Sequence, residues 1–271
     1  MCTENSFCTS MLGKNIESKS KLKYDESKIV RTLCYNEKDN KYFMMIRSNI
    51  SQEELDKYKV EKKNKIISLD PGIRVLFTGI VDDKIIEIGK NVTSEIRTKL
   101  IKINEMKKVN NENNQLRKEM GYYFVKTLEN RWIIKKKIKN NKIKKIEKSI
   151  KNKVKDTQWK IIKYLTDNHE NIVLGNMSTK KIGESNELSG LTKQIANRLN
   201  MYKFRERLKY KCKIKKNNLI IANEWNTSVC CSNCGNKKLD LGGKKEYKCE
   251  KCKKDYDRDV NASKNILMKV I

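Results

Sequence analysis

Four cysteines near the C-terminus form two closely spaced pairs, and this pattern constrains the fold more than any other feature of the chain. Two residues separate Cys231 from Cys234, and two separate Cys249 from Cys252. This spacing lets a tight turn point both thiolates at one ion, and two such turns complete a tetrahedron. Zinc then supplies folding energy to a segment too small to hold itself. The sequence therefore predicts a four-cysteine zinc ribbon over 227–253.

The residues around these cysteines refine the prediction. Gly235 follows the first pair and suits the left-handed backbone that such a turn often requires. Gly242 and Gly243 predict a hairpin turn between the two pairs. Cys230 is a fifth candidate, but it does not keep the two-residue interval to Cys234. The chain has nine cysteines and no secretory signal, which argues against a disulfide framework.

The charge of the chain indicates a polyanionic partner. Its 271 residues include 62 Lys and Arg against 33 Asp and Glu, a formal net charge of +29. Nucleic acid is the commonest partner of such a chain, although Lys, Asn and Ile also have A/T-rich codons, so a biased genome could produce the same excess. No apolar run approaches the roughly 18 to 20 residues that a membrane span needs. We therefore expect an intracellular protein with no membrane association.

The apolar pattern predicts an α/β fold with one mixed sheet and flanking helices. Three antiparallel strands open the domain, two long basic helices fill 93–168, and strands and helices then alternate to the C-terminus. A further short strand is expected near the N-terminus. The predicted strands cover 41–46, 66–69, 75–81, 84–88, 171–174 and 219–222. The predicted later helices cover 191–213 and 261–271.

Three acidic residues lie where apolar strands end or where the last helix begins, namely Asp70, Glu224 and Asp259. Cleavage of a phosphodiester by two divalent cations requires acidic side chains that converge on the ions, and Mg²⁺ prefers such oxygen ligands. Each residue also has an ordinary explanation. Asp70 could make a turn before proline, Asp257 and Asp259 could stabilise a helix N-terminus, and Glu224 could lie on the surface.

Taken together with the cysteines, these residues resemble the TnpB and Fanzor proteins, which are transposon-encoded, RNA-guided DNA nucleases. The likeness rests on Asp70-Pro71-Gly72, on a T-S-x-x-C-x-x-C-G string that starts at Thr227 and on a D-R-D-x-N-A-x-x-N-I-L string that starts at Asp257. It covers roughly 65–271. It implies an RNase H-like, RuvC-type nuclease domain over 63–226 and 254–271, with 93–168 as a helical insert and the ribbon before the last helix. Residues 1–62 would then be a short remnant of the part that binds guide and target.

The resemblance also implies roles for individual residues. Asp70 would be the first metal-binding aspartate and Asp259 the last, with Asp257 as a neighbour and Mg²⁺ as the catalytic cofactor. Bacterial TnpB proteins usually have a glutamate where this chain has Gly175, whereas Fanzor proteins have one shortly before the T-S-x-x-C string, where Glu224 stands. The resemblance therefore leans towards Fanzor. It implies a eukaryote or a large DNA virus as source, and the host nucleus as location if the chain is Fanzor-like, with the cytoplasm as the alternative.

The implied partners are DNA and a guide RNA. The basic helices of 93–168, together with Arg205, Arg207 and Lys209, would hold an RNA–DNA hybrid by its phosphates. A solvated lysine face is the ordinary alternative for the long helices.

The three tryptophans, Trp132, Trp159 and Trp225, could stack on bases. A large aromatic side chain beside an apolar helix stripe more often belongs to the core.

Two rival functions remain open at this stage. Gly175 and the short N-terminal region favour a nuclease-dead protein that binds nucleic acid through its charge and its zinc ribbon. A transposase that joins strands itself is weaker, since the sequence has no catalytic tyrosine motif and no separate strand-transfer domain.

Overall fold

The chain divides into two compact units, Met1–Lys57 and Tyr58–Ile271. A computed structural model describes residues 6–8, 15–17, 31–36, 41–46, 53, 64–119, 121–238 and 245–270. The first unit contains two antiparallel pairs, β1 (Ser6–Cys8) with β2 (Asn15–Glu17) and β3 (Arg31–Asn36) with β4 (Lys41–Ile46). The predicted strand at 41–46 is confirmed as β4.

The second unit is built on a five-stranded mixed sheet. Its strands are β5 (Asn64–Pro71), β6 (Phe77–Val81), β7 (Lys84–Ile88), β8 (His169–Gly175) and β9 (Asn218–Ala222), in the order β7-β6-β5-β8-β9. The pairs β5–β6 and β6–β7 are antiparallel, as predicted, whereas β5–β8 and β8–β9 are parallel. The carboxyl ends of β5, β8 and β9 therefore meet at one edge of the sheet.

Strand β5 ends two residues later than predicted, because Asp70 and Pro71 still pair with β6. The pairing with β8 ends at Leu69. Proline, which has no N–H to donate, is tolerated at such a strand end.

Helices cover one face of the sheet. They are α1 (Lys90–Glu119), α2 (Gly121–Asn168), α3 (Thr179–Glu184), α4 (Gly190–Leu199) and α5 (Met201–Lys215). The two long basic helices of 93–168 are confirmed as α1 and α2, and Gly121 starts the second. Their predicted apolar stripe is buried, with Leu100 and Ile150 each 1% exposed.

The prediction of a single helix over 191–213 is wrong, because the helix is interrupted at Asn200. This residue has φ 50 and ψ 56, a left-handed backbone that ends α4. Its side chain accepts a hydrogen bond from the backbone N–H of Lys203 and so starts α5. Asparagine tolerates the left-handed region better than most residues, so one residue serves as a cap for both helices.

The opposite face of the sheet is covered by the C-terminal helix α6 (Arg258–Met268). Side chains alternate along β8, so Ile172 and Leu174 face α1, α2 and α5 while Val173 packs with Ile266 of α6. Buried Ser68 ties β5 to α6 by donating to the backbone carbonyl of Ser263 at 2.9 Å. The sheet is thus a layer between helices α1–α5 on one face and helix α6 on the other, in line with the predicted α/β fold.

A short hairpin precedes α6. Strand β10 (Glu246–Lys248) pairs antiparallel with β11 (Asp255–Asp257), which leads directly into the helix. The helix begins three residues before the predicted start at 261, because the Asp257 side chain accepts from the N–H groups of Asp259 and Val260. The hairpin turn predicted at Gly242 and Gly243 lies outside the described residues.

The only histidine of the chain, His169, is buried where α2 ends and β8 begins. Its Nδ1 lies 3.2 Å from the carbonyl of Leu165, and its Nε2 has no hydrogen-bond partner among the described residues. Burial lowers the pKa of His169 below its ordinary value. The imidazole is therefore held neutral in the fold.

We expect His169 to make folding stability depend on pH. The unfolded chain takes up a proton near the ordinary histidine pKa of about 6.5, while the folded chain resists it to a lower pH. The free energy of unfolding should therefore fall as the pH drops from about 7 towards the folded pKa. Urea unfolding at several pH values, for the wild type and His169→Leu, measures this; equal pH slopes for the two proteins would contradict the prediction.

Candidate metal centre and carboxylate site

The four predicted cysteine ligands come together in the structure. Their sulfur atoms all lie within 4.8 Å of one another. Cys231 Sγ is 3.7 Å from Cys252 Sγ, and Cys234 Sγ is 3.5 Å from Cys249 Sγ. Tetrahedral zinc with bonds of about 2.3 Å separates its sulfur ligands by about 3.8 Å. The cluster could hold a metal ion such as zinc.

Two similar turns create this cluster. In the first, the N–H of Gly235 donates to the carbonyl of Cys231 at 2.9 Å. In the second, the N–H of Lys253 donates to the carbonyl of Cys249 at 3.0 Å. The residue after each pair is left-handed, with φ 72 at Gly235 and φ 58 at Lys253. The left-handed turn predicted at Gly235 is confirmed.

A buried tyrosine supports both turns. Tyr247 is 0% exposed and packs against the cysteines. Its hydroxyl lies 3.1 Å from the carbonyls of Val229 and Asn236, beside the first turn. Backbone hydrogen bonds lower the pKa of Cys249 to about 6, whereas burial raises the pKa of Cys231 to about 11. A bound metal ion would favour the thiolate form of both.

Cys230 does not belong to this cluster, although it is adjacent in sequence. It forms an isolated bridge with Lys237, and its carbonyl accepts hydrogen bonds from the side chains of Asn261 and Asn265. The two-residue interval to Cys234, which indicated Cys231 and not Cys230 as the metal ligand, therefore agrees with the structure.

We expect Cys231→Ser to lose bound zinc and Cys230→Ser to keep it. Removing one thiolate from a four-cysteine site removes folding energy from the ribbon, whereas Cys230 supplies only backbone contacts. Zinc per chain, measured by plasma mass spectrometry, should be about one for the wild type and Cys230→Ser. Equal zinc content in the two variants would contradict this assignment.

The three predicted acidic residues are placed by three different elements. Asp70 lies at the carboxyl end of β5, Asp259 lies in the first turn of α6, and Glu224 follows β9 by two residues. Parallel strands present their carboxyl ends at one edge of a sheet, where ligands of α/β proteins usually bind. The topology thus brings the three residues to the same edge.

Their charges influence one another. Burial raises the pKa of Asp70 well above its ordinary value, the charges of Glu224 and Asp259 raise it further, and Arg258 opposes the rise. Burial also raises the pKa of Asp259, and the charge of Asp257 adds to the effect. A cluster of partly buried carboxylates with these shifts is short of positive charge.

Glu224 reaches the cluster through space left by a glycine. A Cβ atom at residue 175 would lie 2.5 Å from Glu224 Oε1 and 2.8 Å from Pro71 Cδ. The carboxylate of Glu224 therefore stands beside the end of β8, where a side chain at position 175 would begin. Gly175 does not leave a gap in the site, because Glu224 fills it.

The carboxylates fit divalent cations by their chemistry. Glu224 Oε1 is buried and has no hydrogen-bond partner among the described residues, and burial raises the pKa of Glu224 to about 7, against the influence of Arg205. An oxygen in that state is suited to a hard cation. Within the described residues only the four cysteines bring ligand atoms within 4.8 Å of one another, so the carboxylates form a wider cluster.

Two asparagines connect the cysteine turns to the carboxylates. Asn265 donates to the carbonyls of Thr227 and Cys230, both at 2.7 Å. Asn261 donates to Cys230 at 2.6 Å and accepts from the N–H of Ser232 at 2.8 Å. Both belong to the D-R-D-x-N-A-x-x-N string, which did not show what they do. They fix the start of the ribbon to α6, which carries Asp259.

Thr227 completes the connection on the other side. Its hydroxyl donates to the carbonyl of Glu224 at 2.9 Å, and its N–H donates to the same carbonyl at 3.2 Å. The backbone of Glu224 is therefore held by a residue that Asn265 holds in turn.

The predicted cationic residues of α5 differ in their surroundings. Arg205 donates to the carbonyl of Met177 at 2.9 Å. Arg207 donates to Gln158 Oε1 at 2.7 Å and lies over the ring of Trp159 at 5.5 Å. Lys209 is exposed to solvent. Both arginines thus brace the fold, and Lys209 is the one of the three that projects into solvent.

We expect Gly175→Ala to displace Glu224, since the new methyl group would overlap its carboxylate. The affinity for Mn²⁺, measured by calorimetry, should fall by about 10- to 100-fold. Gly183→Ala is the matched control, because nothing lies within 4 Å of a Cβ placed there. Moving the carboxylate back, with Gly175→Glu and Glu224→Gly together, should recover part of the loss. An unchanged affinity in Gly175→Ala would contradict the arrangement.

Comparison with known proteins agrees with these features. The family model described as "Cas12f1-like, TNB domain" matches residues 202–266. Two TnpB-like proteins of Acanthamoeba polyphaga mimivirus are each 31% identical over 271 residues, and the matches cover 97% of this chain. The matches cover 47% and 46% of those proteins, so the chain spans about half the length of these relatives.

Among solved structures, a cryo-EM complex of Cas12f1 with sgRNA and target DNA is similar, with a TM-score of 0.41 and 16% identity. The match covers 83% of this chain and 52% of that one. The sequence motifs, the four-cysteine cluster and the mimivirus relatives all indicate the same family. The chain belongs to the TnpB family.

Proposed function

We propose that the protein is a metal-dependent nuclease that cuts DNA under the direction of a guide RNA. The observation that carries the proposal is the placement of Glu224 over Gly175, beside Asp70 and Asp259. It supplies a third carboxylate to a sheet edge that otherwise has two. We assign the sheet and its helices to the RNase H-like, RuvC type, with the nuclease domain over 63–226 and 254–271.

Asp70, Glu224 and Asp259 would hold two Mg²⁺ ions. When bound, such ions activate a water molecule and stabilise the leaving oxygen of the phosphodiester. The chain's own part is to fix the carboxylates on a strand, a turn and a helix whose positions the core determines. Asp257 does not need to bind metal, because its side chain caps α6 and so orients Asp259.

The basic helices offer a surface for nucleic acid. On α2 every lysine from 142 to 155 is exposed, a set that comprises Lys142, Lys144, Lys145, Lys148, Lys151, Lys153 and Lys155. Exposed Lys209 lies beside the exposed Tyr210 on α5. Contacts of lysine with phosphates are independent of sequence, which would leave the choice of target to base pairing with the guide.

The ribbon over 227–253 would bind zinc and serve the nuclease as a structural part. Its turns hold Glu224 through Thr227 and hold α6 through Asn261 and Asn265. We infer a closer kinship to Fanzor proteins than to bacterial TnpB proteins, because the glutamate follows β9 instead of ending β8.

Among the described residues no helix is long and apolar enough to cross a membrane.

The main rival is a nuclease-dead protein that binds nucleic acid. Part of its support was Gly175, and the position of Glu224 over that glycine weakens that part. A nuclease and a pure binder share the basic surface and the ribbon. Only the chemistry of the carboxylates separates them.

We expect Asp70→Asn and Glu224→Gln to lose at least about 100-fold of the cleavage rate, because each removes a ligand charge. The purified protein with its co-purified RNA, sequenced to define the matching DNA, would be assayed on labelled DNA with Mg²⁺ and with EDTA. Glu184→Gln is the control, since that side chain is 65% exposed and pairs with Lys180 on the surface. Tight binding without cutting in the wild type would establish the nuclease-dead alternative instead.

A further inference from the structure

Trp225 follows Glu224 directly in the chain, and it is exposed to solvent. The side chain is 71% exposed, the largest exposed fraction among the large hydrophobic residues that the structure describes. Trp159, in contrast, packs against the core. A single exposed apolar residue is ordinary on a protein surface. Trp225 differs because hydrogen bonds hold its backbone and a lysine lies over its ring.

The backbone of Trp225 is fixed on both sides. Its N–H donates to Asn223 Oδ1 at 2.9 Å, and its carbonyl accepts from Lys269 Nζ at 2.5 Å. The next residue, Asn226, has φ 60, and Thr227 closes the turn onto Glu224. The turn thus presents the indole to solvent from a rigid base, which lowers the entropy lost on binding.

A lysine of the ribbon accompanies the ring. Lys237 Nζ lies over one face of the Trp225 ring, 5.8 Å from its centroid, so a base would stack on the opposite face. An aromatic face with a cation beside it matches the two parts of a nucleotide, the flat base and the charged phosphate. Because consecutive Cα atoms are about 3.8 Å apart, a strand with a phosphate at Glu224 would pass Trp225 within a nucleotide or two.

We propose that Trp225 stacks on an unpaired base of the DNA strand at the carboxylate site, while Lys237 contacts a neighbouring phosphate. This inference rests on the proposed function, since it assumes that DNA reaches Glu224. It makes Trp225 a positioning residue that holds the strand, not a group that takes part in the chemistry.

The first test is binding without cleavage. In EDTA, the affinity for a short fluorescein-labelled oligo-dT, measured by anisotropy, should fall about 5- to 150-fold in Trp225→Ala. Trp225→Phe should retain most of it, because any aromatic face can stack. Ile85→Ala, which removes an exposed apolar side chain on β7 at the opposite edge of the sheet, should leave the affinity unchanged.

Salt separates the two residues. Stacking depends little on salt, so the loss in Trp225→Ala should be the same at low and high salt. Lys237→Gln should reduce the slope of log affinity against log salt by about one phosphate contact. A loss in Trp225→Ala that disappears at high salt would overturn the stacking role.

The decisive test compares oligo-dT with an abasic oligonucleotide of the same length. The wild type should prefer oligo-dT, and Trp225→Ala should lose much of that preference; an unchanged preference would refute the proposal. If the wild type prefers oligo-U to its abasic counterpart but shows no such preference with oligo-dT, the residue stacks on RNA. That result would overturn the DNA assignment. Because no cleavage is required, stacking can be upheld even if the nuclease proposal fails, and cleavage without stacking would reject only this inference.

Discussion

The amide of Asn265 is the contact on which the arrangement of the site depends. It binds two carbonyls at once, those of Thr227 and Cys230, from a position where only 7% of the residue is exposed. Buried hydrogen bonds of this kind are costly to leave unmade. They join the ribbon, whose four cysteines could hold a metal ion, to the helix that carries Asp259, so the arrangement of the cysteine turns and the geometry of the carboxylates are physically linked.

The second constraint is that the carboxylate of Glu224 occupies the space that a side chain at position 175 would need. Two parallel strands about 4.8 Å apart leave room at their carboxyl ends for a single carboxylate. A glutamate can reach that point from β8 or from just beyond β9, but not from both. The absence of a Cβ at Gly175 is therefore a condition for the Glu224 arrangement, and the two positions have to change together.

The sequence predicted much of this fold because its signals were local. Cysteine spacing identified the four ligands that the structure brings together, and the apolar runs located the strands of the main sheet. The break at Asn200 was missed, since the helical period continues across it and only the backbone angle interrupts it. The contacts of Arg205 and Glu224 could not be inferred, because they depend on how α5 and β8 lie in space.

The electrostatics explain why this edge of so basic a chain remains short of positive charge. Arg205 lies close enough to lower the pKa of Glu224, and Arg258 does the same for Asp70, yet burial prevails and all three carboxylates have raised pKa values. The lysines of α2 between 142 and 155 are exposed, where solvent screens their charge. Phosphates can therefore be attracted by the surface as a whole, while the buried carboxylates must be neutralised locally by protons or by metal ions. This separation allows one chain to attract a polyanion and to keep an acidic site within reach of it.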